Sequence, residues 1–282
     1  MKSRIRLFFV AGALLSLIAG VALWSWDGKR AAVTGSLRVS EPSTDELRTF
    51  AAKKVFFGHQ SVGANVINGV TLTFSALGLS APSVVETREH VAVDGGFVAH
   101  AHVGVNGDPN GKFADFVAVM GGPLGDQVDV AMVKLCYADI VAGTDVNAVF
   151  YAYSAMMDDL ARSHPSVELL YTTVPLSTDR GWKATIKSWI GQNDQMGPAD
   201  NEARQRYNEL IRARFGASGR LFDIAAIEAT VSSSPTERTL DGKKYFVLNS
   251  ALAADPGHLN DLGSRLVAAD FIRLVARGGG PR

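Results

Sequence analysis

Two short segments at opposite ends of the chain carry the residue types that nucleophilic catalysis needs. The first, Lys53-Lys-Val-Phe-Phe-Gly58-His59-Gln60-Ser61-Val-Gly63, runs from an apolar stretch into a turn and then into a helical pattern. Ser61 falls at the turn. There its hydroxyl is exposed at the sheet edge and its N–H lies at the positive end of a helix, where a developing oxyanion is stabilised. The same serine also suits a plain helix cap. The second segment, Asp255-Pro256-Gly257-His258-Leu259-Asn260-Asp261, sets an acid and a histidine three residues apart on a Pro-Gly turn ahead of an amphipathic helix. Asp255 can accept from one ring nitrogen of His258 and aim the other at a serine hydroxyl, as a general base requires. The rival reading makes Asn260 or Asp261 the helix cap and leaves His258 an incidental surface residue.

Such residues need elements to hold them. Short β-branched or apolar runs at Lys54–Phe57, Ser83–Glu86, Val128–Leu135, Val167–Val174 and Arg220–Ile224 read as strands. Helical periodicity appears near 62–78, 112–120, 146–163, 200–215 and 259–276. Runs such as Val128-Asp-Val-Ala-Met-Val133 are nearly all apolar, as parallel strands covered on both faces must be. The alternation predicts a three-layer α/β/α sandwich with a central, mostly parallel sheet. Ligands in such sheets bind beyond the carboxyl ends of the strands. That directs attention to four loops: Gly58–Gly63, Glu89–Lys112, Cys136–Asp139 and Asp255–Asn260.

The serine block and the Asp-x-x-His block, in this order within an α/β/α domain, resemble the SGNH/GDSL hydrolase superfamily over most of residues 52–276. The resemblance implies a flavodoxin-like fold with Ser61 as nucleophile, His258 as base and Asp255 as the orienting acid. Gln60 departs from the family's Gly-Asp-Ser form. The family adds a glycine N–H and an asparagine amide to the serine N–H as oxyanion donors. Gly107 in Val105-Asn106-Gly107-Asp108-Pro109 suits the glycine, although an ordinary Asn-Gly turn reads the same way. After the third strand, in Lys134-Leu-Cys136-Tyr137-Ala138-Asp139, the family's asparagine falls on Ala138, which has no side-chain donor. Asn106 is the leading substitute. Gln60, His59 and Tyr137 follow, and these three also stand as candidate substrate-binding residues.

Other features are weaker. His100 and His102 alternate with no evident third ligand, so loop histidines outrank a metal site. No residue pattern calls for a metal or another cofactor. Cys136 is the sole cysteine; it follows an apolar strand without a paired base and reads as a core thiol. Trp182 and Trp189 suit either sugar stacking or packing along one helical face.

The charge balance is even, 28 basic against 28 acidic residues, so no single-sign field recruits nucleic acid. Lys2, Arg4 and Arg6 precede the uncharged run Leu7–Trp24, an export signal in residues 1–26. Two forms stay open: a cleaved peptide, for which Gly20-Val-Ala22 offers small residues, and a membrane anchor with Trp24 and Trp26 at the interface. A linker follows over 27–42, then a domain over 43–277 and a Gly-rich tail over 278–282. The expected protein is an exported serine esterase, periplasmic or secreted, acting on a small-molecule or glycan ester such as an O-acetylated polysaccharide. Alternatives are an O-acyltransferase on envelope polysaccharide and a non-catalytic glycan-binding domain. The oligomeric state is not readable.

Overall fold

Ser43 starts the first helix with a reciprocal cap. Its Oγ accepts from Glu46 N–H at 3.2 Å while Glu46 Oε2 accepts from Ser43 N–H at 2.8 Å, and α1 (Thr44–Ala52) follows. In this computed structural model the described residues are 39–179, 195–231 and 234–278. Then come β1 (Lys54–His59), α2 (Val62–Ala76), β2 (Ser83–Glu86), β3 (Phe97–His102), α3 (Pro109–Met120), β4 (Val130–Val133) and α4 (Val146–Ser163). They are followed by β5 (Glu168–Leu169), β6 (Tyr171–Thr172), α5 (Pro198–Phe215), β7 (Leu221–Phe222), α6 (Ile224–Ala229) and α7 (Asp261–Arg277).

The sheet order is β2-β3-β1-β4-β5, parallel throughout. The fifth strand continues through Leu170 into β6, which pairs in parallel with β7. Alternation along the central strands explains the layers. Phe56, Ala131 and Val133 join one apolar cluster with α3, α4 and α5; Val55, Phe57, Val130 and Met132 join the other with α1, α2, α6 and α7. Strands buried on both faces need crossover helices on both faces, hence three layers.

One strand contradicts the sequence reading. Phe97–His102 falls inside the expected loop Glu89–Lys112, yet it is the strand between β2 and β1. The loop that opens beyond the sheet is therefore only Val103–Asp108. Three small antiparallel ladders also form among the described residues, Thr230–Val231 with Ser234–Pro235, Glu237–Leu240 with Lys243–Phe246, and Ala253–Asp255 with His258–Leu259. Among the described residues no helix is long and apolar enough to cross a membrane. The apolar run 7–24, Trp182, Trp189 and residues 279–282 lie outside the described residues.

Candidate active site

β1 delivers Ser61 into a strained turn. Its φ of +46° lies in the left-handed region that side chains rarely adopt. Although Ser61 occupies the N-cap position of α2, its side chain makes no capping hydrogen bond. The capping reading is thus replaced: the hydroxyl points elsewhere. The turn is closed by Gly63 N–H on Gln60 O at 3.0 Å and Ala64 N–H on Ser61 O at 2.8 Å. Gln60 braces it from the side, donating from Nε2 to Val103 O (3.2 Å) and Gly104 O (2.9 Å) and placing Oε1 3.1 Å from His102 Nδ1.

His59 lies underneath the turn. It is fully buried, 3.1 Å from His100 Nδ1 through Nε2. A Cβ at residue 63 would sit 2.3 Å from its Cβ, so only glycine fits there. Burial, with Lys134 and the two neighbouring histidines adding repulsion, pushes the His59 pKa down to about 3. His59 and Gln60, expected to bind substrate, both support the turn.

The histidine arrives from the other end of the chain. Asp255 Oδ1 accepts the N–H groups of Gly257 and His258, each at 2.9 Å, which folds the Pro-Gly turn around its carboxylate. His258 Nδ1 lies 2.8 Å from Asp255 Oδ2, and Nε2 is hydrogen-bonded to Ser61 Oγ. Burial works to raise the Asp255 pKa, but the Gly257 N–H and the His258 ring outweigh it, and the net direction is down. An ionised carboxylate only accepts, so the ring proton belongs on Nδ1 and the Nε2 lone pair faces the serine hydroxyl. Ser61, 197 positions before His258, is thus joined through that ring to Asp255 in one hydrogen-bonded path. Half-exposed side chains, 39% for His258 and 52% for Asp255, leave it open to a substrate. The ring of Tyr137 stands edge-on to His258 at 6.4 Å, flanking the path.

Of the donors expected in the loops after β3 and β4, the Gly107 N–H is already engaged. Gly107 has φ +90°, and its N–H donates to Asp139 Oδ1 at 2.7 Å. Asp139 Oδ2 takes Cys136 N–H at 2.6 Å and the ammonium of Lys112 at 2.5 Å. Lys112 also donates to Asn106 Oδ1 at 2.8 Å. Gly107 is therefore corrected from an oxyanion donor to a rung of a buried clamp. Asn106 keeps a free side-chain Nδ2 among the described residues. Ala138 is buried and offers no donor. In contrast, no acceptor among the described residues takes the N–H of Ser61.

Charges that the sequence reading passed over lie behind the site. Lys112, Lys134, Arg204 and Glu228 are almost wholly buried. Arg204 Nε donates to Tyr137 O at 2.9 Å and Ile140 O at 3.1 Å, holding the loop that carries Tyr137. Glu228 Oε2 accepts Leu176 N–H at 2.7 Å, and burial pushes its carboxyl up to about 8. Burial moves Lys134 the opposite way, down. Lys112 and Lys134 interrupt or flank apolar runs, which was the available signal; Arg204 left none. Cys136 is buried.

No family model matches the sequence, and no curated protein matches it. Three solved structures are similar to the chain at 11–13% identity. One such structure, a protein assigned to the G-D-S-L lipolytic family from Desulfitobacterium hafniense DCB-2, is 11% identical, with 79% of this chain and 99% of that chain covered and a TM-score of 0.45. A protein assigned as a platelet activating factor from Streptococcus pneumonia is 13% identical over 92% of this chain and 98% of that one, with a TM-score of 0.46. The periplasmic domain of a lipopolysaccharide acetyltransferase from Salmonella ser. Paratyphi A is 13% identical over 76% and 80%, with a TM-score of 0.41. At these identities no activity carries over, and the site stands on its own geometry.

Proposed function

We propose that the protein is a serine esterase of the SGNH/GDSL type that works through an acyl-enzyme. The observation that carries this reading is the chain Asp255 carboxylate to His258 Nδ1 and His258 Nε2 to Ser61 Oγ. Ser61 Oγ attacks the ester carbonyl carbon while its proton passes to His258 Nε2. The carbonyl oxygen becomes an oxyanion held by the Ser61 N–H at the start of α2, with the Asn106 amide as the side-chain donor. The ester C–O bond then breaks, His258 returns the proton to the leaving alkoxide, and a water deprotonated by the same nitrogen releases the acid.

The basic residues before the apolar run 7–24 support export, and an exported esterase meets O-acetylated glycans and lipid esters. An acyltransferase differs only in the second acceptor, a sugar hydroxyl in place of water. Turnover of 4-nitrophenyl acetate, with and without added oligosaccharide, tests the reading. Release of nitrophenolate and acetate by wild type but not by Ser61→Ala supports the hydrolase. Acetylated oligosaccharide in place of acetate supports the transferase, and no turnover by folded protein contradicts both.

A further inference from the structure

The Ser61 and His258 carriers are two helices and a short ladder far apart in sequence, and something must set their spacing. α2 begins at Ser61, and α7 begins just after His258. Along the shared face the helices approach closely at Gly69, where a Cβ would sit 2.0 Å from Ser264 O and 2.8 Å from the Ala268 Cβ. Close packing there fixes the helix axes. It does not fix the end of the His258 ladder, which is half-exposed and rests on a turn.

One residue spans that gap. Asn65 lies one helical turn after Ser61 on α2. Its Nδ2 donates to Leu259 O at 3.2 Å and its Oδ1 accepts Leu259 N–H at 3.4 Å. Both bonds of the amide go to the residue next to His258, in the manner of a strand pairing with a neighbour. Leu259 is itself buried, so its backbone groups have no water to turn to.

We propose that Asn65 is a positioning residue whose amide sets the register of His258 on Ser61. This inference rests on the esterase reading above. Asn65 touches neither the substrate nor the reacting atoms; it acts through the Leu259 backbone. A displacement of about 1 Å between nucleophile and base costs on the order of a hundredfold in rate even when the fold is intact.

Asn65→Ala removes both bonds. Asn65→Asp preserves the shape and the acceptor for Leu259 N–H but sets a carboxylate oxygen against Leu259 O. The expected result with 4-nitrophenyl acetate is a fall in kcat of about 10- to 100-fold for both variants with KM within about twofold, in protein that stays folded at the assay temperature although Tm falls by roughly 4–10 °C. A kcat within twofold of wild type in both variants overturns the proposal. So does a loss of rate matched by loss of folded protein, or a rise in KM that accounts for it. An independent readout uses protein labelled with 15N-histidine. The His258 Nε2 resonance should shift in Asn65→Ala while those of His59 and His100 stay in place. If wild type turns over no ester, the esterase reading fails by itself, and the resonance still decides the clamp: an unmoved His258 signal overturns it, a shifted one supports it.

Discussion

The two sides of the candidate site are built on opposite plans. On one side the side chains of Ser61, His258 and Asp255 face each other at the surface, with the Asp255 carboxylate held by the N–H groups of Gly257 and His258. On the other, the loops after β3 and β4 turn their polar groups inward. One buried carboxylate, Asp139, gathers the N–H groups of Gly107 and Cys136 and the Lys112 ammonium. The first side leaves its groups half-exposed, as the proposed proton transfer requires. The second commits the Gly107 and Cys136 N–H groups and the Lys112 ammonium to tying two loops together. A glycine in the expected place is therefore no guarantee of an expected donor: what its N–H does depends on which acceptor lies within reach.

That contrast can be broken at several points. The largest effect belongs to the exposed side. Ser61→Ala or His258→Ala should lower kcat by about 10⁵- to 10⁶-fold, and Asp255→Asn by about 10⁴-fold, with circular dichroism unchanged. If His258→Ala keeps more than a tenth of wild-type activity, the proton path is not the working one.

The buried side predicts a loss of stability instead. Lys112→Met leaves the Asp139 carboxylate buried without its cation, which costs about 3–5 kcal/mol. Urea unfolding measures it, and a cost below about 1 kcal/mol would mean that the pair does not hold these loops. Asn106 lies between the two plans, with Oδ1 on Lys112 and Nδ2 open. Asn106→Ala should lower kcat by about 10- to 100-fold, somewhat less than a full oxyanion donor. A fall below threefold would place the side-chain donor elsewhere.

The smallest effect is on pH. His59 has a pKa of about 3 when folded, against an ordinary value near 6.5. The unfolded chain therefore takes up a proton that the folded chain refuses, and stability falls as pH drops from about 6.5 towards 3. At pH 5.5 the His59 contribution to that loss is on the order of 1 kcal/mol. His59→Gln should flatten the decline. An equal slope in wild type and variant would show that His59 is not the group responsible.

Much of this was legible in the sequence because it was local. The strands β1 and β4 announce themselves as apolar runs, and the Asp255–His258 turn follows from Pro256-Gly257 and an acid three residues before a histidine. β3 was hidden: Gly95 and Gly96 precede it, and His100 and His102 alternate within it like loop residues. The central place of β3 comes from pairing with β1 and β2, which no local pattern carries. α1 was missed although Ser43 and Glu46 have capping-box spacing, because only nine residues follow. Lys112 with Asp139 and Asn65 with Leu259 were unreadable for a different reason. Each joins segments 27 and 194 residues apart, through groups whose types say surface as readily as core.

The most direct test of the central claim is covalent. A fluorophosphonate reacts with a serine whose hydroxyl is activated by a neighbouring base, and peptide mass spectrometry locates the adduct. The account predicts one phosphonyl group on Ser61 in wild type and at least about a hundredfold slower labelling in His258→Ala. Folded wild-type protein that stays unlabelled, or an adduct on any serine other than Ser61, would contradict it.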